Sequence, residues 1–130
     1  MADKLALIVT SGSKEQLQMA AMMASVGSVS GSEVTVFLSM NAMTYFVKGR
    51  ENEQPTHDGE MGKLLEDKGA PPFMELFEQA ADLGGAQIYP CSMAVDILGV
   101  GEDDLNDMLE APLGLTKFMS WFPEATVLTF

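Results

Sequence analysis

The side chain best suited to chemistry is the one thiol of the chain, Cys91. It lies in the stretch Ala86-Gln-Ile-Tyr-Pro-Cys-Ser-Met-Ala-Val-Asp-Ile-Leu-Gly99. That stretch reads as a short strand, a break at Pro90, the cysteine, and then a helix closed by Gly99. Open α/β sheets form their sites outside the carboxyl ends of their strands. A helix start adds partial positive charge and free N–H groups, which favour a thiolate over a thiol. The position therefore suits a nucleophilic or sulfur-carrying cysteine. The plainer alternative is a small buried hydrophobe, since free cysteine is among the most buried residue types.

Few other residues offer that thiol a partner. The only histidine, His57, falls in the polar segment 48–69. It is a candidate to deprotonate a thiol or to touch a partner; a solvated loop histidine is the plainer reading. Lys14, at the start of the first helix, is a candidate to add positive charge on the same sheet edge, and Asp96 would oppose a thiolate if it faced one. Eleven methionines raise the question of a soft metal. No Met-x-x-Met cluster stands beside a Cys-x-x-Cys or a His pair, so neither a metal nor a cofactor is expected. Ser11-Gly12-Ser13 lies between a strand and a helix, but the chain has no Gly-x-Gly-x-x-Gly and no Gly-Lys-Ser/Thr,. What remains there is a set of backbone N–H groups that an anion or nucleotide could use.

The elements that must position Cys91 follow from the apolar pattern. Residues 4–10 are a nearly continuous apolar run, as in a parallel strand covered on both faces,. Ser13 with Gln16 resembles a capping box, and Leu17, Ala20, Ala21 and Ala24 keep helical spacing up to the Gly27–Gly31 region,. Residues 33–38 are β-branched and aromatic enough for a second strand, and 39–47 suit a short helix,. Segment 48–69 is the irregular part, a mobile or partner-facing loop with a turn of helix near Met61, Leu64 and Leu65,. Pro71-Pro72 opens an amphipathic helix with Phe73, Leu76, Phe77 and Ala80 inside, ended by Gly84-Gly85,. Strand 86–89 delivers Cys91. Glu102-Asp103-Asp104 reads as the start of another helix with Leu105, Met108 and Leu109 inward,. One or two short helices over 112–122 and a strand over 125–130 complete a single α/β domain with helices on both faces.

The 130 residues suit one core, and 47% of them are hydrophobic,. No apolar run approaches the length of a membrane span. Residue 1 leads almost directly into a strand pattern without a basic or hydrophobic leader, so no secretory signal is expected. A single cysteine fits a reducing cytoplasm. The net charge of −12 argues against nucleic acid and anionic membranes and towards basic partners,.

Taken together, the chain resembles the DsrE/DsrF-like proteins, in particular their small DsrE-like sulfur-carrier branch. The resemblance rests on Ile-Val-Thr-Ser-Gly-Ser13, on Gly-Ser-Glu-Val-Thr-Val-Phe-Leu38, and on Pro71-Pro-Phe-Met-Glu-Leu-Phe-Glu-Gln-Ala-Ala-Asp-Leu-Gly84. Its most specific part is Tyr-Pro-Cys-Ser-Met-Ala-Val-Asp-Ile-Leu-Gly99 followed by Glu-Asp-Asp-Leu105. Segment 48–69 matches least. The resemblance implies a mostly parallel, five-stranded α/β sandwich of Rossmann-like type that assembles into homo-oligomers, trimers or hexamers. It implies that Cys91 carries sulfur as a persulfide or thiosulfonate, exchanged with TusA-like carriers or rhodanese-type donors. Some members have a second cysteine near the first; here those positions hold Ser92 and other residues, which leaves a single-site carrier. Beside the sulfurtransferase stands a second function, a non-catalytic scaffold that docks sulfur carriers through an acidic face. A third is a small-ligand or nucleotide binder at Ser11 to Ser13.

Overall fold

The computed structural model describes residues 3–130. The apolar run after Asp3 forms β1 (Lys4–Val9), which lies between β2 (Glu33–Leu38) and β4 (Ala125–Thr129). β3 (Gln87–Pro90) lies outside β2, giving the order β3-β2-β1-β4 with every pairing parallel. Leu5 stands opposite Val34 and Ile8 opposite Phe37. Because successive side chains alternate between faces, these two pairs point to opposite sides of the sheet.

The Leu5–Val34 side is covered by α1 (Lys14–Val29), which packs in turn on α4 (Phe73–Asp82). Gly27 lets α1 come down on the strands: a Cβ there would lie 3.0 Å from Leu5 Cδ1 and 3.4 Å from Val34 Cγ2. The Phe37 side is covered by the short α6 (Leu115–Met119), whose Phe118 is fully buried with its ring centroid 4.9 Å from that of Phe37. Phe46, Phe73 and Phe77 form an edge-to-face group, with Phe46 and Phe77 centroids 5.5 Å apart. Burying side chains of this size contributes about 1.5–3 kcal/mol each.

Three expectations need correction. The sheet has four strands among the described residues, not five. Segment 110–113 runs beside β3 where a fifth strand would lie, but only Cys91 and Leu113 form a bridge there. Ile88 O accepts from the Glu110 N–H at 2.8 Å and Pro90 O from the Leu113 N–H at 2.9 Å. Pro90 has no N–H to return along that edge, so the ladder cannot close. For the same reason Pro90 does not break the strand. It is the last residue of β3, paired with Leu38, and its missing donor faces outward.

The helix expected from Glu102 is a single 3-10 turn, Glu102–Asp104, which Leu105 leaves with φ −95° and ψ 152°. Leu105 bridges antiparallel to Val47, while Lys48 N–H donates to Asp104 O at 2.7 Å and Asn106 N–H to Phe46 O at 2.8 Å. The backbone there is satisfied by the neighbouring segment instead of by a helical ladder.

Between β2 and α4 lie α2 (Met40–Met43), a 3-10 turn Thr44–Phe46, and α3 (Glu60–Asp67), which gives the polar segment two turns of helix. After β3, α5 (Ser92–Leu98) ends at Gly99 with φ 70°, the left-handed cap that glycine adopts without strain,. None of the helices among the described residues is long and apolar enough to cross a membrane.

Candidate functional site

Cys91 stands at the carboxyl end of β3 as the N-cap residue of α5. Its N–H donates to Leu38 O at 2.8 Å and its carbonyl accepts from the Val95 N–H at 3.0 Å, which fixes the backbone on both sides of the thiol. The side chain makes no cap hydrogen bond. In the single chain it is 5% exposed. The residue bridges in parallel to Leu113, and the Ser92 N–H donates to Leu113 O at 3.0 Å.

The same sheet edge is built by the loops after the other strands. Ser39 N–H donates to Val9 O at 3.0 Å, Ala42 N–H to Thr10 O at 3.3 Å, and Thr10 N–H to Phe130 O at 2.9 Å. Met40 opens α2 with φ 51°, a sparsely populated conformation for a residue with a side chain,. α2 packs against α5. Met40, Met93 and Ile97 on these two helices are exposed. The elements that carry the thiol thus present an apolar, methionine-bearing surface. Tyr89, two residues before Cys91, packs on Trp121 with centroids 5.3 Å apart. Burial first, and the Glu110 carboxylate second, hold its phenol above the usual range, so it stays protonated near neutrality,.

The other candidate residues lie elsewhere. His57 is exposed, with its Cβ against Gly62. Lys14 is 7% exposed, and its ammonium is 2.6 Å from Gln54 Oε1 and 3.4 Å from Glu66 Oε2. Its charge is matched inside that cluster. At Ser11 to Ser13 two of the three backbone donors are taken, Ser11 N–H by Phe130 O and Ser13 N–H by Ser11 Oγ, and the next, Lys14 N–H, by Thr56 O. The Ser13 hydroxyl caps α1 by accepting from the Gln16 N–H at 3.3 Å. A phosphate would have to break these bonds, which weighs against the nucleotide reading. No group of three or more His, Cys, Asp or Glu side chains among the described residues is placed to hold a metal ion.

A family model described as DsrE/DsrF-like matches residues 3–130. The chain belongs to the DsrE/DsrF-like family. That family is implicated in sulfur relay. Two solved structures share the fold. The ychN protein from E. coli has 20% identity and a TM-score of 0.63, with 100% of both chains covered. A protein of unknown function, MTH1491 from Methanobacterium thermoautotrophicum, has 10% identity and a TM-score of 0.58, with 98% of this chain and 99% of that one covered. No curated protein matches the sequence.

Within this DsrE/DsrF-like chain two structural roles escaped the reading of the sequence. One is Leu113, which bridges to Cys91; nothing in Pro112-Leu-Gly114 marks it as a partner of a residue over twenty positions away. The other is Glu15, whose carboxylate accepts from the N–H groups of Asp58 and Gly59. The glycines at 59 and 62 were a signal that something approaches the backbone there.

Proposed function

We propose that this protein is a sulfur carrier or sulfurtransferase working through Cys91 in the cytoplasm, with TusA-like carriers or rhodanese-type proteins as its exchange partners. The observation that carries the reading is the position of the chain's only thiol. It lies at the carboxyl end of a parallel strand, on a fixed backbone, with its sulfur committed to no cap bond. Membership of a family implicated in sulfur relay supports it.

The chemistry balances without an oxidant. The Cys91 thiolate attacks the outer sulfur of a donor persulfide, a new S–S bond forms to Cys91, and the donor's own S–S bond breaks to release its thiolate. Transfer to the acceptor is the reverse step with a different thiolate. With tetrathionate the same attack leaves a thiosulfonate on Cys91 and releases thiosulfate. Reaction requires the chain around the thiol to open, because a residue 5% exposed admits no donor.

That burial gives the second reading its support: a non-catalytic scaffold docking sulfur carriers through its acidic face. Intact mass after incubation with polysulfide or tetrathionate separates the two. A sulfur or thiosulfonate adduct that disappears in Cys91→Ser supports the carrier. No adduct with either donor, together with partner binding that survives Cys91→Ser, favours the scaffold.

We also infer that the protein self-associates, as a trimer. Met19, Met22, Val26 and Val29 form an exposed apolar stripe on α1, turned away from its own sheet,.

A further inference from the structure

The two edges of the sheet are finished differently. At the β3 edge Pro90 offers no donor and segment 110–113 runs alongside. The opposite edge is β4, and nothing among the described residues pairs with its outer side. Phe130 N–H donates to Ile8 O at 2.8 Å and Phe130 O accepts from the Thr10 N–H at 2.9 Å, so residue 130 turns its backbone towards the sheet. Directions alternate along a strand. The N–H and C=O groups of Val127 and Thr129 therefore point outward, without a partner among the described residues. Natural edge strands are commonly blunted by a charge, a proline or a bulge. Residues 125–130 hold no charged side chain and no proline, and β4 keeps unbroken register with β1 from Ala125 to Thr129.

The side chains stop short at the same place. Ile88, Val36, Leu7 and Leu128 stand in register across the sheet, one aliphatic residue from each strand. The first three are fully buried. Leu128, at the open edge, is only half-buried. A second copy of the same edge completes both features. About a two-fold axis through Leu128 the strands run antiparallel, and Val127 of each copy exchanges both backbone bonds with Thr129 of the other. Every open donor and acceptor of these two residues is then used. Leu128 meets its own counterpart in a non-hydrogen-bonded pair, the closer kind, and the aliphatic row runs on into the second sheet. Such a contact is isologous and closes on itself. Because the strand is uncharged, copies of net charge −12 meet there with no like charges directly opposite,.

We propose that β4 is a two-fold contact between copies of this chain, joining two sheets edge to edge into one. It is a different surface from the apolar stripe on α1 and does not depend on the chemistry assigned to Cys91. Strands of five residues bury less than the roughly 1,200–2,000 Å² of a stable interface, so the pairing is expected to depend on concentration,.

Sedimentation equilibrium on the full chain, from micromolar to millimolar protein, tests it. The weight-average mass is expected to double over that range, whatever mass the dilute protein has. Met22→Glu/Val26→Glu should double in the same way, which separates this contact from the α1 stripe. Val127→Pro removes an outward donor and no bond within the chain, so it should keep the circular dichroism of the parent and lose the doubling. Register is read by single cysteines in a Cys91→Ser background, oxidised with diamide; this readout also decides the matter if Val127→Pro does not fold. Paired Leu128 Cα atoms would lie about 4.5 Å apart, inside the disulfide range of about 4.4–6.8 Å, whereas Val127 faces Thr129 and not itself. Leu128→Cys should therefore give a covalent dimer and Val127→Cys should not. A mass that stays constant with concentration overturns the proposal. So does doubling that survives in a folded Val127→Pro, or cross-linking through Val127→Cys in preference to Leu128→Cys.

Discussion

The carboxylate of Glu15 lies 2.7 Å from the Gly59 backbone nitrogen and receives its N–H. The Asp58 N–H reaches the same carboxylate at 2.9 and 3.1 Å. One side chain in the first turn of α1 thus gathers the backbone just before α3. Its neighbours do the same work: Lys14 N–H donates to Thr56 O, and the Lys14 ammonium holds Gln54 and Glu66. Three consecutive residues, Ser13 to Glu15, tie the polar segment to the sheet, since Ser13 also bridges to Thr56.

Acidification should release this tie. The hydrogen bond from the Asp58 N–H is the main reason the Glu15 carboxyl is held below its ordinary value of 4.5, with burial opposing and the Gly59 N–H adding to it. A lowered folded-state pKa contributes stability that is fully present above the unfolded value and lost as pH falls through the folded one. The segment is therefore expected to stay anchored at neutral pH and to loosen as pH falls below about 4.5, where a free glutamate is already half protonated, and on through the lower folded-state value. Hydrogen exchange at the Asp58 and Gly59 amides reads this directly. Glu15→Ala should give fast exchange there at pH 7, with the amides of β1 unchanged. Unaltered protection at Asp58 and Gly59 in that variant would show that the carboxylate does not hold the strap.

Access to Cys91 should be limited by Leu113. Residues paired in a bridge place their side chains on the same face. The thiol is therefore expected to react with iodoacetamide far more slowly in the native protein than in urea. Leu113→Ala should speed the native reaction several-fold, because trimming a half-buried side chain lowers the opening cost by on the order of 1 kcal/mol. Equal rates in native and unfolded protein would place the thiol outside this cover.

The sequence made the strands at 4–9, 33–38 and 125–129 legible because continuous apolar or β-branched runs have few alternatives in so short a chain. α1 was legible from its Ser13 cap, and α4 from the proline pair before Phe73. The place of Cys91, after a strand and before a helix, was legible because it is a local pattern. Its burial was not legible, since the segment beside it arrives from over twenty residues away, through a single bridge at Leu113. The acids at 102–104 misled because charge suits a helix start whether or not a helix continues. What decided the matter was the claim of residues 46–48 on the same backbone groups. The fifth strand came from resemblance alone; the composition of 110–113 does not ask for one, and Pro90 forbids the ladder.

Gly84 should be intolerant of a side chain. It follows α4 where that helix meets the end of α1, and a Cβ there would collide with the Ser28 side chain and come within 2.9 Å of the Ser28 carbonyl carbon. Ser28 is itself buried and donates its hydroxyl to Ala80 O at 3.4 Å and to Ser25 O at 3.3 Å. A rotamer change cannot relieve a clash with backbone. Gly84→Ala is expected to cost about 1–3 kcal/mol, the usual price of overpacking. Urea denaturation with an unchanged m-value checks it. Gly85→Ala is a poor control, because Gly85 has φ 73° and is strained by any side chain; Gly114→Ala, with only the Ser92 hydroxyl at 3.9 Å, is the better one.

The stripe on α1 makes the last prediction. An α-helix that covers a sheet needs only one apolar side. α1 has a second, with Met22 44% and Val26 66% exposed on the side turned away from the core. These two positions are four apart and share a face. If the stripe is an interface between copies of this chain, light scattering after size exclusion should give a mass of three chains for the parent and one for Met22→Glu/Val26→Glu. The substitutions lie at exposed helical positions, so circular dichroism should match the parent. A monomeric parent, or a variant that keeps the parent's mass, removes α1 from the contact and leaves the open outer edge at β4, where Val127 is 36% exposed, as the surface to test next.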